Sequence, residues 1–101
     1  MQISKNIENS KLNISLEGRL DTTTAPQLEA ELKKSVNGIT ELVFDFAQLV
    51  YISSAGLRVL LSAQKVMNKQ GNMAIRNVSP EIMEIFEVTG FVDIFSIENI
   101  E

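Results

Sequence analysis

The stretch Leu42-Val43-Phe44-Asp45-Phe46 constrains this 101-residue chain more than any other. It is dense in large apolar side chains and interrupted only by Asp45. Its length and aromatic content predict a central strand covered on at least one face. Such a strand needs neighbours, and the rest of the chain supplies them. Leu12, Ile14 and Leu16 alternate with Asn13, Ser15 and Glu17, which reads as a half-buried strand ended by Gly18. Residues 2–8 form a shorter strand, joined to it through a polar hairpin turn at Glu8–Lys11. Met73-Ala74-Ile75-Arg76 reads as a further strand, and Asp93–Ile97 as a last short one.

Between the strands the apolar period changes from two to about 3.6. Thr24-Ala25-Pro26-Gln27 predicts a helix start, with Thr24 as cap, Gln27 reaching back to it and Pro26 in the first turn. Leu28, Leu32 and Val36 follow on one face, and Gly38 is placed to close that helix. Ala55–Lys69 carries a broad apolar stripe that includes Leu57, Leu60 and Leu61, and Gly71 ends it. Ser79-Pro80-Glu81 opens a third helix with Ile82, Ile85 and Phe86 inward, closed by Gly90. The order β-β-α-β-α-β-α-(β) predicts an α/β protein. The expected architecture is a mixed four- to five-stranded β-sheet with about three α-helices. No linker or repeat divides the chain, so a single domain over 1–101 is expected.

Composition removes several functions. There is no cysteine and no histidine. Disulfide and thiol chemistry are therefore absent, and so are the usual general base and the commonest metal ligand. Neither a metal site nor a cofactor is expected. A formal charge of -4 without a Lys/Arg run argues against nucleic acid. No window is long and apolar enough for a membrane span, and no apolar core follows Lys5 as a signal peptide requires. A cytoplasmic location and no membrane insertion are the expectation.

The run Tyr51-Ile52-Ser53-Ser54-Ala55-Gly56-Leu57-Arg58 sits where a strand pattern gives way to a helix pattern. Serines at that point cap the helix in the plainest reading. They also stand where free N–H groups and the helix dipole favour a phosphate. Ala55 and Gly56 add little bulk, so another protein's active site has room to approach. Serine catalysis by this chain itself lacks a base: there is no histidine, and Lys65 and Lys69 belong to later turns. Asp21 and Asp45 both fall near expected strand ends. They read as turn and cap residues, or as a magnesium or phosphoryl-aspartate pair gathered beside the serines. Arg58, one turn beyond Ser54, is either a solvated surface residue or a contact to a phosphate or a partner's acidic group.

In this order and spacing, Gly18-Arg19-Leu20-Asp21, Leu42–Phe46, Tyr51–Leu57 and Phe86-Glu87-Val88-Thr89-Gly90-Phe91 resemble a STAS domain of the bacterial anti-sigma factor antagonist type. The resemblance covers nearly the whole chain. In that family the signature reads Asp-Ser-Ser/Thr-Gly-Leu, and the serine after the aspartate accepts phosphate. Anchored on Gly56-Leu57, the resemblance implies Ser54 as phosphoacceptor. Ser53 then takes the aspartate's place and is the second candidate acceptor. Ala55 replaces the second hydroxyl, and Arg58 stands where relatives often have glycine. The implied partner-binding residues are Asp21, Thr22, Thr23, Thr24, Ile52, Ser53, Ala55, Gly56 and Arg58, with no catalytic residue. The implied partners are an anti-sigma factor that is also a serine kinase of histidine-kinase-like ATPase fold, and a PP2C-type phosphatase. The alternative within the family is a non-switching interaction subunit of a transporter-associated or stress-signalling complex.

Overall fold

The computed structural model describes residues 1–98. Its elements are β1 (Gln2–Glu8), β2 (Lys11–Leu20), α1 (Ala25–Ser35), β3 (Glu41–Ile52), α2 (Ser54–Gln70), β4 (Asn72–Arg76), α3 (Pro80–Thr89) and β5 (Ser96–Glu98). A short 3-10 turn, Phe91–Asp93, precedes β5. The five strands form one sheet in the order β1-β2-β3-β4-β5. β1 is antiparallel to β2, and the other neighbours are parallel. The mixed α/β sheet is therefore as expected, with the tail completing the fifth strand.

Alternation decides which face is covered. Leu12, Ile14 and Leu16 of β2, Leu42, Phe44 and Phe46 of β3, and Met73 and Ile75 of β4 enter one apolar cluster. Leu28 and Leu32 of α1, Leu57, Leu60 and Met67 of α2, and Ile82 and Phe86 of α3 complete that cluster. The helices thus share one side of the sheet. Ser15, Asp45, Arg76 and Glu98 stand in a row across the other side, where Arg76 Nε meets Glu98 Oε1 at 3.0 Å.

β3 is longer than its apolar run predicts because it bulges twice. Ser15 faces Asp45 but Glu17 faces Gln48; Gly18 faces Leu49 but Arg19 faces Tyr51. Each time β3 spends one residue more than β2. Asp45 Oδ1 accepts the Ala47 N–H at 2.9 Å inside the first bulge and the Asn77 side-chain amide at 3.0 Å. Gly18, with φ +106°, carries β2 through the second irregularity instead of ending it. The bulges shift the buried positions to Phe46, Leu49 and Ile52, a spacing of three that hides the strand from a period-two reading.

Two further local expectations change. α1 ends at Ser35 with Val36 as its C-cap, two residues before Gly38. Gly71 does follow α2, but its backbone is extended, and what it supplies is space. A Cβ there would collide with the Thr40 carbonyl that accepts the Asn72 N–H.

Candidate functional site

The parallel pairing of β2 and β3 ends at Leu20 opposite Ile52, and the Ser53 N–H continues it by donating to the Leu20 carbonyl at 2.9 Å. This register delivers the β2–α1 turn and the start of α2 to one edge of the molecule. Asp21, Thr22, Thr23, Thr24, Ser53, Ser54, Ala55 and Arg58 are brought together there. An open cleft of about 350 Å³ between α1 and α2 runs into the same edge, with Thr22, Pro26, Ala55, Arg58 and Ser62 in its wall.

Asp21 organises the first half of the site. Its Oδ1 accepts the Thr23 hydroxyl at 2.8 Å, the Thr23 N–H at 3.0 Å and the Thr24 N–H at 3.2 Å. The Thr23 hydroxyl above all holds the carboxyl below its usual range; burial opposes it, and the Thr24 and Thr23 backbone donors and the Thr24 hydroxyl add to the lowering. The Asp21 carbonyl also takes the N–H groups of Thr24 and Ala25. Thr24 does not cap α1 with its side chain. Its hydroxyl is committed to the Arg19 carbonyl at 2.8 Å and the Asp21 N–H at 2.8 Å, so it braces the turn instead.

The second half is the head of α2, and here the capping expectation fails. Ser53 is the N-cap residue, with extended φ and ψ of -103° and 175°, but no serine side chain caps the helix. Ser53 Oγ is buried and has no hydrogen-bond partner among the described residues. Ser54, the first helical residue, is exposed. The two adjacent hydroxyls therefore have opposite fates, and the second candidate acceptor keeps its oxygen inside the protein. Among the described residues no side chain caps the first N–H groups of α2.

Two residues implied as partner contacts lie beneath the surface. Ile52 is 2 % exposed. Gly56 is buried, and a Cβ on it would come within 2.7 Å of Leu20 Cγ and 2.9 Å of Ile52 Cγ1. Gly56 therefore lets α2 sit close on the strand ends, and this replaces the reading that it clears space for a visiting protein. Asp45 is also removed from the site. It pairs with Ser15 and Arg76, seven residues before Ile52, or roughly 20 Å along the strand. The two aspartates do not gather, and among the described residues no group of three acidic side chains is placed to hold a metal ion.

The structure adds three residues that motif reading left without a role. Arg19 lies over the Tyr51 ring, 4.1 Å from its centroid, and its Nε is 3.7 Å from Asp21 Oδ2. Val50, at the second bulge, is 69 % exposed beside Tyr51 at 37 %. Two apolar side chains are thus exposed in the last residues of β3 before Ser54. Arg58 is exposed and forms no ion pair among the described residues.

Comparison with known proteins gives the family and the fold. Residues 2–101 match the STAS domain family. The chain is 43% identical over 86 residues to BtrV of Bordetella bronchiseptica, assigned as an anti-sigma factor antagonist, covering 83% of this chain and 74% of that protein. It is 30% identical over 100 residues to the anti-sigma-B factor antagonist of Listeria monocytogenes, covering 96% of this chain and 87% of that one. Its fold matches the phosphorylated form of the Bacillus cell fate determinant SpoIIAA with a TM-score of 0.80, over 99% of this chain and 92% of SpoIIAA, at 18% identity. The chain belongs to the STAS domain family.

Proposed function

We propose that this STAS domain is an anti-sigma factor antagonist, a regulatory binding protein and not an enzyme, switched off by phosphorylation of Ser54. The observation that carries the reading is the contrast at the head of α2. Ser54 is exposed on the first helical residue, while the neighbouring Ser53 hydroxyl is buried and idle. Of the serine pair a protein kinase thus has one reachable hydroxyl, on the first helical residue and flanked by the small Ala55. The unphosphorylated chain binds an anti-sigma factor that is itself a serine kinase of histidine-kinase-like ATPase fold, and the sigma factor is freed. The kinase then moves the γ-phosphoryl of ATP to Ser54 Oγ, with ADP leaving and the hydroxyl proton released. A PP2C-type phosphatase restores the hydroxyl by hydrolysis. All of this takes place in the cytoplasm.

The switch has a simple energetic basis. Phosphate adds about -1.5 to -2 charges at neutral pH. At its own site this charge is tolerated, because the α2 N-terminus presents open N–H groups and the positive end of the dipole, with Arg58 one turn along. The fold therefore stays as it is. In the complex the same charge must be desolvated against a partner that fitted a neutral hydroxyl beside Tyr51 and Val50. A loss of about 3 kcal/mol there is a hundredfold in affinity.

The test uses the purified anti-sigma factor encoded in the same genome. With ATP, mass spectrometry should find one phosphate on Ser54, lost in Ser54→Ala and kept in Ser53→Ala. Calorimetry should show the phosphorylated chain binding at least about a hundredfold more weakly. Equal affinity of the two forms would end the proposal.

A further inference from the structure

β1 is an outer strand of the sheet, and it is an unguarded one. It pairs with β2 over seven unbroken positions, from Gln2 with Glu17 to Glu8 with Lys11, without a bulge and without proline. Its free side is therefore a row of backbone donors and acceptors with no partner strand among the described residues. Proteins usually blunt such an edge with lysine, proline or a bulge. The single lysine of β1 does not serve that purpose. Lys5 Nζ is turned over the helix side of the sheet, 3.0 Å from Glu31 Oε1 and 2.9 Å from Ser35 Oγ. Ile7, on the same side, is 52 % exposed.

We propose that β1 is a homodimer interface, pairing antiparallel with β1 of a second copy so that two sheets join into one across a two-fold axis. The occupant follows from the sequence of the strand. The register that pairs all seven residues places Lys5 on the axis. It sets Ile3 opposite the partner's Ile7, Ser4 opposite the partner's Asn6, and Gln2 opposite the partner's Glu8. Both isoleucines lie on the helix side, since Ile3 pairs with Leu16 and Ile7 with Leu12 of the buried row. The full-length register is thus also the one that covers the exposed Ile7 with an apolar neighbour. Two lysines meet at the axis, and each is already paired with its own Glu31, which offsets the like charges within each copy. The axis reverses strand direction, which sends the two α2 N-termini to opposite ends of the joined sheet. Both Ser54 sites stay open to their own partners.

A seven-residue edge is small for an interface, so the dimer is weak. Tag-free chain studied by sedimentation velocity should shift from monomer to dimer mass between about 10 μM and about 1 mM. Ile7→Lys, at an exposed position, should weaken the dimer at least about tenfold. Register is tested by cross-linking on a background without native cysteine. Under mild oxidation a mixture of Ile3→Cys and Ile7→Cys chains should form a disulfide-linked dimer, at the Cα separation of an antiparallel pair. Neither should do so alone, whereas Lys5→Cys should link to itself. Monomer mass throughout the range, or Ile7→Cys linking to itself as well as the mixture does, overturns the proposal. None of these measurements uses the anti-sigma factor or the state of Ser54.

Discussion

α2 and α3 both begin at a serine with extended backbone, and only α3 uses it. Ser79 Oγ accepts the Ile82 N–H at 3.3 Å, Pro80 occupies the first turn, Glu81 follows at the positive end of the dipole, and Gly90 ends the helix in the left-handed region. Each of these choices serves helix stability. α2 has no capping side chain among the described residues, no acidic residue in its first turn, a cation at Arg58, and a glycine where helices rarely keep one. Its stability comes from elsewhere. Leu57, Leu60 and Met67 are buried, and at its far end the Gln70 side-chain amide donates to the Val36 and Ile39 carbonyls at 2.8 and 2.6 Å. A helix pinned along its body and at its C-terminus can leave its N-terminus unfinished. The unfinished end is the one that carries the exposed serine.

The largest expected effect separates the two serines by function. Ser54→Glu should weaken binding of the anti-sigma factor by about a hundredfold with little change in melting temperature, while Ser79→Glu should leave binding intact. A loss of binding that tracks a loss of stability in both variants would erase the distinction. Next in size is Gly56→Ala. Its Cβ meets Leu20 and Ile52 at 2.7 to 2.9 Å, and Leu20 Cγ is not a free chain end, so α2 must lift off the strand ends. A cost of about 1–3 kcal/mol in urea unfolding is expected, although alanine is the better helix former. A gain in stability would mean that the close approach at Gly56 is not real. Smaller still is the pair Ser79→Ala and Ser53→Ala. The first removes a cap and should cost about 1 kcal/mol. The second removes a buried hydroxyl that has no partner among the described residues, so it should be neutral or slightly stabilising.

The sequence already showed the order of elements, the mixed sheet, and the starts of α2 and α3, because those rest on period and on Ser-Pro punctuation. The second half of β3 was not legible. Two bulges turn its buried spacing from two to three, and nothing in Gln48-Leu49-Val50 announces a bulge. Gly18 looked like a terminator for the same reason. In the site, the exposed Ser54 and the Asp21 turn were readable from local pattern and family resemblance. The fate of each hydroxyl was not. Whether a serine caps, turns outward or is buried depends on what packs above it, and for Ser53 that is set by strands distant in sequence. Gly56 shows the same limit: its residue type was visible, but the Leu20 and Ile52 atoms that require it were not. The Arg19–Tyr51 contact needed the bulged register of β2 on β3, so no spacing along the chain could have paired them.

The smallest effect concerns a third way of starting a helix. α1 relies on a carboxylate: Asp21 Oδ1 gathers the Thr23 and Thr24 donors just ahead of it. A hydroxyl cap such as Ser79 does not titrate between pH 2 and 7, but a carboxylate does. Because the folded protein holds the Asp21 carboxyl below its ordinary value, the unfolded chain takes up the proton first as pH falls. The turn's contribution is complete above the ordinary carboxylate range near pH 4, shrinks as pH falls through it, and is gone below the depressed folded value. Glu31, depressed by Lys5 and then by Lys34, loses its contribution in the same direction, so global unfolding alone does not separate the two. Amide chemical shifts do. The Thr23 and Thr24 N–H signals should move with a midpoint below that of an ordinary aspartate, and Asp21→Asn should flatten the threonine titrations. A Thr23 midpoint at or above the ordinary value would mean that the Asp21 turn, like the head of α2, leaves its donors unheld.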